Sequence, residues 1–267
     1  MRGPKQLLEN EDRLVTRMGA WFPGERVVFR GKDLFNDLGD QRWMGLLLHG
    51  ITGRLFSDKQ IRLFEGIWTL SASYPDPRLW NNRVAALAGT ARSTGALGIG
   101  AAVAVSEATI YGGRPVLGAI DFFLRAKKHL DKGLELAEFI DQQLHQHRVI
   151  AGYGRPIIGI DERIQPLMSL ANELGFGDGV HVKLAFQVEK ILLKNRFRIR
   201  MNVAALIAAL TADQGFSESE HYLYMVLCFT AGMFPCFANA NNKTEGTFLP
   251  LSCRRISYSG PSRRSWN

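Results

Sequence analysis

Ala151-Gly152-Tyr153-Gly154-Arg155-Pro156-Ile157-Ile158-Gly159-Ile160-Asp161-Glu162-Arg163 is the stretch on which the fold assignment turns. Two glycines flanking a tyrosine form a tight turn whose backbone N–H groups suit an anion. Arg155 and Arg163 add guanidinium forks shaped for carboxylate or phosphate. Alone the pattern is weak, because glycine-rich turns beside arginine are common punctuation and a turn with solvated charge is the competing reading. The surrounding chain has to decide.

Outward from the loop, almost everything has helical period. Upstream, Trp43, Leu46, Leu47 and Ile51 fall on one helical face, and a helix end is expected at Gly53. Asp58 is a candidate N-cap for a helix carrying Ile61, Phe64 and Trp68, which should stop before Pro75 and Pro77. A helix is expected over 80–91. The small-residue run 96–106 (ALGIGAAVAVS) is expected to be a deeply buried helix, since glycine and alanine let helix backbones approach closely. Pro115 can start the next helix, and 134–147 is amphipathic. Helices are expected over 161–174, 180–193, 203–211 and 217–236 downstream of the loop. Only Val27 to Phe35 alternates, around Gly31, as a small hairpin would. No repeat or composition shift divides the chain. The expectation is one all-α domain over 1–267, with a large helical core and a small helical subregion around 150–220.

Composition narrows the function classes. The 267 residues hold 33 Lys+Arg and 25 Asp+Glu, so 33 − 25 gives a net charge of +8, and 46% of residues are apolar. This is ordinary globular composition, and it excludes a disordered or collagen-like chain. Cys228, Cys236 and Cys253 are too widely spaced for a disulfide framework or a zinc site. His145 and His147 lie on different sides of a helix, so no metal is expected. The opening MRGPKQLLENEDR is charged, with no apolar stretch of signal-peptide type, and a cytoplasmic location is expected. Residues 222–238 are uncharged, but they fall short of a membrane span and are broken by Gly232 and Pro235. A buried core helix is the expected reading there. The basic balance predicts anionic partners, and no nucleic-acid reading module accompanies it.

Landmarks in order bring a resemblance. The loop is similar to the Gly-Phe/Tyr-Gly-His…Asp-Pro-Arg segment of the citrate synthase family. Residues 107–115 (EATIYGGRP) resemble that family's His-Gly-Gly turn, and Met201-Asn202-Val203-Ala204 its Asn-Val-Asp motif. Residues 257–266 (SYSGPSRRSW) resemble its Tyr-Thr-Gly-Pro…Arg-Arg tail. Gly31-Lys32-Asp33-Leu34, followed by Leu46-Leu47-Leu48-His49-Gly50, resembles its opening segment. The similarity covers nearly the whole chain, at the length of the short, citryl-CoA lyase-like branch. It implies an all-helical, dimeric architecture, active sites at a cleft, and a tail reaching the partner subunit.

That family's chemistry uses two histidine donors and an aspartate general base. Matched residue by residue, this chain has none of them. Tyr111 stands for the first histidine, Arg155 for the second and Ala204, which cannot take a proton, for the aspartate. The substrate-binding arginine is matched by Arg163, with Glu162 replacing the motif's proline. A further family arginine falls at Gly232. In the tail Leu249-Pro250-Leu251 lacks the partner-reaching arginine, for which Arg254 or Arg255 could substitute. Losing the base alone removes a factor of about 10²–10⁴ in rate. Tyr111 either fills the space of the lost histidine as a core residue or, with Arg155 stabilising its phenolate, is a new acid/base. His49 is a satisfied core histidine or a substrate contact. Lys194, Arg196, Arg198 and Arg200 are a solvated face or part of a more cationic cleft.

Two functions follow from the resemblance. One is a divergent enzyme acting on a CoA thioester or citrate-like polycarboxylate. It would use Tyr111 and Arg155 for catalysis, and Arg163, Arg155, His49, Arg254 and Arg255 for substrate. Gly152, Tyr153 and Gly154 would bind CoA or an acyl-CoA as co-substrate. The other is a catalytically inactive pseudoenzyme that binds the family's ligand or an intact family member. A homodimer is expected, with a heterodimer as the alternative, and neither a membrane nor a covalently bound cofactor.

Overall fold

A two-residue reversal with positive φ at both positions, Arg30 (51°) and Gly31 (81°), folds the first alternating stretch back on itself. After a short helix α1 (Pro4–Glu9), the strands β1 (Gly19–Phe22), β2 (Arg26–Phe29) and β3 (Lys32–Asp33) pair antiparallel in that order. Gly19 sits opposite Phe29, and Phe29 opposite Lys32. The expected hairpin is present, with a third strand ahead of it. This is a computed structural model, and it describes residues 3–72, 79–155, 159–194 and 198–262.

Helices make up the rest of the fold: α2 (Trp43–Thr52), α3 (Asp58–Ser71), α4 (Trp80–Thr90), α5 (Gly95–Val105), α6 (Gly113–Leu130), α7 (Leu136–His147), α8 (Ile164–Leu174), α9 (Val180–Lys194), α10 (Val203–Asp213), α11 (Glu218–Thr230) and α12 (Met233–Asn241). A single 3-10 turn, Cys253–Arg255, follows. The class is all-α with a small sheet, as the periodicity implied. The chain forms two compact units, Met1–Leu70 with Pro115–Met225, and Ser71–Arg114 with Val226–Asn267. Residues 150–220 lie within the first.

In the first unit the ring of Phe64 meets those of Phe216 and Tyr224 edge-on, each at 4.9 Å, and the Tyr224 hydroxyl donates to the Phe64 carbonyl at 2.6 Å. Arg54 lies 5.3 Å from the ring centres of Phe56 and Phe216 and donates to the Gln214 carbonyl at 2.9 Å. Helix α10 packs on α9 and is buried from Ala205 to Ala212. The cap of α3 is Ser57, one residue before the expected Asp58: Ser57 N–H donates to Gln60 Oε1 at 2.9 Å while Gln60 N–H reaches Ser57 Oγ at 3.4 Å, a capping box. The expected stop at Pro75 and Pro77 lies outside the described residues.

In the second unit α4 packs on α5 and α12. Close approach is enforced at two glycines. A Cβ on Gly89 would stand 2.5 Å from the Phe237 carbonyl oxygen, and one on Gly98 would stand 2.7 Å from the Ala88 Cβ. Helix α5 is therefore close-packed on the Gly98–Ala102 side, but it is not buried all round. Leu97, Gly100, Ala101, Ala104 and Val105 are exposed, which corrects the expectation of a deeply buried helix. Small residues announce a close neighbour on one face and say nothing of the other.

Residues Glu218–Asn241 are long and apolar enough to cross a membrane by length and composition, with 44% of that apolar window buried inside the protein. The run breaks between α11 and α12, and Cys228, Met233, Cys236 and Ala240 are packed inside.

His221 in α11 is fully buried, its Nδ1 lying 2.8 Å from Thr211 Oγ1. Burial pushes its imidazole down to about 4 from the ordinary 6.5, with the Val116 backbone pulling weakly the other way. A neutral histidine in the folded state binds its proton only on unfolding, so its contribution is intact above pH 6.5 and lost as pH falls toward 4. Chemical denaturation between pH 7 and 4 should therefore show a loss of about 3 kcal/mol from this group, and His221→Asn should flatten that limb.

Candidate functional site

The geometry of the loop starts at a helix end. The first amides of α10 have no partner within the helix, and two side chains meet them. Asn202 Oδ1 accepts from the Ala204 N–H at 3.0 Å, and Asp161 Oδ2 accepts from the Val203 N–H at 2.9 Å. Asn202 also donates through Nδ2 to the Gly154 carbonyl at 2.9 Å, while its own N–H donates to the Gly152 carbonyl at 2.9 Å. The Gly154 N–H donates to the Arg200 carbonyl at 2.7 Å, and Tyr153 and Met201 form an antiparallel bridge. The loop and the approach to α10 are thereby laced together.

Gly152 is obligatory here. Its φ is +87°, and a Cβ would stand 2.6 Å from the Cβ of Ala205. Tyr153 points into the core. It is buried near Phe122 and Phe123 and donates its hydroxyl to the Ala185 carbonyl at 2.8 Å. Burial, and secondarily the charge of Glu189, push its phenol well above the ordinary value. The N–H groups of Tyr153 and Gly154 donate to the carbonyls of Ile150 and Arg200. Two of the amides that the turn was expected to offer an anion are thus engaged within the chain.

Asp161 is fully buried and joins the parts. Arg163 grips it with Nε to Oδ1 and Nη2 to Oδ2, both at 2.9 Å, and the Arg163 N–H donates to Oδ1 at 3.2 Å. Burial pushes this carboxyl up, but the hydrogen bonds and charge of Arg163, with the Val203 and Arg163 amides, outweigh it. The net position is below the ordinary 3.8. Arg163 keeps 37% of its side chain exposed, held in a fixed direction. Arg155, 18% exposed, donates from Nη1 and Nη2 to Glu162 Oε2 and Oε1 at 2.8 and 3.3 Å. Its Nη1 also donates to the Ile160 carbonyl at 3.0 Å, and its Nε stands 4.0 Å from Asp161 Oδ2. Two arginines against two carboxylates, 2 − 2, leave the loop formally neutral. Arg198 and Arg200 on the neighbouring segment are exposed, whereas Arg196 lies outside the described residues, as do Pro156, Ile157 and Ile158.

The other expected site residues are placed as follows. Ala204 is partly exposed in the first turn of α10. His49 is buried in α2, with Nδ1 3.2 Å from the Arg54 carbonyl and its ring edge-on to Phe29, but its buried Nε2 has no hydrogen-bond partner among the described residues, so the ring is only half satisfied. Within the second unit, Tyr111 has a left-handed φ of 55° and is 42% exposed, so it does not fill a core space. Its ring lies 6.3 Å from that of Trp80, whose indole N–H donates to the Ile110 carbonyl at 2.9 Å. Gly112 allows the turn, since a Cβ there would stand 2.5 Å from the Ser106 carbonyl oxygen. Arg254 and Arg255 lie exposed on the 3-10 turn, and Arg263 and Arg264 fall outside the described residues. No group of three or more His, Cys, Asp or Glu among the described residues could hold a metal. His145 and His147 are exposed.

No protein-family model matches the chain, and no curated protein matches it. Solved structures do. Citryl-CoA lyase from Hydrogenobacter thermophilus superposes with a TM-score of 0.80 at 19% identity, over 95% of this chain and 97% of that one. ATP citrate lyase from Methanothrix soehngenii, in complex with citrate and coenzyme A, gives 0.70 at 17% identity over 98% of this chain and 45% of the other. Citrate synthase from Thermoplasma acidophilum, in a ternary complex with carboxymethyl coenzyme A and oxaloacetate, gives 0.63 at 17% over 85% and 59%.

The chain has the citrate synthase fold.

Within that fold, Asp161 and Glu162 were missed as site residues. Asp161 carried a local signal, an acid two residues before an arginine at a helix start. Glu162 carried none, because its partner lies seven residues back across a turn. Asp161→Asn should cost about 2–4 kcal/mol, since it leaves Arg163 and the Val203 amide without their acceptor charge. The carboxyl is depressed when folded, so its contribution is present above pH 3.8 and lost as pH falls through the folded value. Denaturant melts of Asp161→Asn should show a smaller acid-side loss than the unmodified protein.

Proposed function

We propose that this protein binds a citrate-like polycarboxylate or a CoA thioester in the manner of its fold relatives, with Arg163 as anchor for a carboxylate. We propose further that it does not carry out ordinary citrate synthesis. The observation that carries the reading is Arg163 itself. A guanidinium locked at two points on a fully buried carboxylate, yet still 37% exposed, is a pre-oriented cation facing outward. Passive packing requires no such arrangement. The coenzyme A and citrate named for the matched structures support the ligand class.

The chemistry differs from that of the matched motif. A methyl at Ala204 accepts no proton. Tyr111, with its exposed ring in the second unit, is a candidate acid/base, and Arg155, in the first, a candidate electrophile, each proposed on its own. A catalytically silent binding subunit is the second reading, and Glu162 closed on Arg155 favours it. The uncovered apolar face of α5 fits the dimer that the resemblance implies.

Titration calorimetry with citrate, oxaloacetate, acetyl-CoA and CoA separates these readings. At least one should bind, and Arg163→Ala should weaken carboxylate binding at least tenfold. No release of CoA from acetyl-CoA and oxaloacetate is expected at the rate of a citrate synthase. Binding of none of the four, or full-rate citrate formation, would overturn the reading. With any substrate that turns over, unchanged rate in Tyr111→Phe would remove Tyr111 from the mechanism.

A further inference from the structure

The two carboxylates of the loop differ in a way that bears on how a ligand enters. Asp161 is fully buried, with its oxygens engaged by Arg163 and the Val203 amide. It cannot leave without stranding those donors. Glu162 is 73% exposed, and the side-chain hydrogen bonds found for it run to Arg155. An exposed ion pair of this kind is weakly held, because water compensates both partners. Arg155 pushes the Glu162 carboxyl below its ordinary 4.5, so the contact is one between full charges near neutrality.

The contact has the form that a ligand's carboxylate would take, two guanidinium nitrogens meeting two oxygens at 2.8 and 3.3 Å. Arg155 does not depend on it for its place. Its side chain is 82% covered, Nη1 also donates to the Ile160 carbonyl at 3.0 Å, and Nε faces Asp161 at 4.0 Å. Were Glu162 to turn into solvent, these contacts would still hold the guanidinium, and its Nη1 and Nη2 would each lose a carboxylate oxygen while the formal charge of the loop stayed the same.

Resting on the reading of this loop as a polycarboxylate site, we propose that Glu162 is an internal competitor, a tethered carboxylate that occupies Arg155 until an incoming polycarboxylate displaces it. The exchange replaces one carboxylate on Arg155 by another and releases Glu162 to water, so no bond is made or broken. It lowers by one common factor the affinity of every anion that must take Arg155. A tricarboxylate has a carboxylate for each of Arg163 and Arg155, whose guanidinium nitrogens both lie within 4.0 Å of Asp161 Oδ2. A monocarboxylate must compete with Glu162 for one contact.

The test is titration of citrate and acetate, at fixed ionic strength, into the full chain and into Glu162→Gln and Glu162→Ala. Asp178→Asn is the charge control, an exposed acid paired only loosely with Lys183 at 3.6 Å. Both Glu162 variants should bind citrate about two- to fivefold tighter, as removal of a weak competing pair allows. Asp178→Asn should bind as the unmodified protein does, and thermal midpoints should not move. Acetate should gain no more than citrate, because the competitor lowers the affinity of each anion that takes Arg155 by the same factor. Equal or weaker citrate binding in the Glu162 variants, while the unmodified protein binds and Arg163→Ala abolishes it, overturns the competitor role alone. An equal gain in Asp178→Asn also overturns it, by assigning the effect to net charge. No citrate binding by any variant overturns the polycarboxylate reading itself, and this inference with it.

Discussion

A single buried carboxylate organises the candidate site. Asp161 accepts the first amide of α10, two guanidinium nitrogens of Arg163 and the Arg163 amide, and it stands within 4.0 Å of Arg155. A buried charge costs several kcal/mol unless it is met by donors, and here each donor comes from an element that must be placed for the site to exist. The start of α10, the start of α8 and the loop between Gly152 and Arg163 are pinned to one another through it. Asn202 adds the second tie, capping α10 while holding both glycines of the turn. From Val203 to Leu210 helix α10 carries only apolar side chains, so at this end the polar ties to the loop come from Asn202 and Asp161.

This arrangement changes the electrostatic reading of the chain. The net charge of +8 suggests a cationic cleft, yet at the loop every arginine that the resemblance singles out already faces a carboxylate. What the fold supplies is direction. Arg163 is aimed, and Arg155 is seated and covered by a removable partner. On the reading proposed above, Ala204 takes no proton at the position matched to an aspartate, while Arg163 and Arg155 keep contacts suited to an anion. That combination suits a chain that has kept recognition and altered or lost turnover.

Much of the fold was legible in the sequence. Period 3.6 marked most of the helices, the reversal at Arg30-Gly31 marked the hairpin, and the ordered motifs led to the fold that the solved structures bear out. The site was legible in its residue types but not in its pairings. Tyr153 reads as a ligand-side residue in a glycine-rich turn, and only the packing of Phe122 and Phe123 turns it inward. Tyr111 reads either as a core substitute for histidine or as a new acid/base, and at that turn a left-handed backbone and 42% exposure set its ring outside the core. The outer face of α5 could not be judged, because glycine and alanine have the same pattern whether a neighbour covers them or not. Helical period reports which residues share a face. It does not report which ions meet across a turn.

A double-mutant cycle between Asp161 and Arg163, using Asp161→Asn, Arg163→Gln and the pair, with unfolding free energies read from denaturant melts near pH 7, bears most directly on the central role of the Asp161 carboxylate. The expected result is a coupling of about 1–3 kcal/mol, with the double variant less destabilised than the sum of the two single ones. Additivity within about 0.3 kcal/mol would contradict it, because the carboxylate would then be held by the α10 amide alone and Arg163 would have no fixed direction.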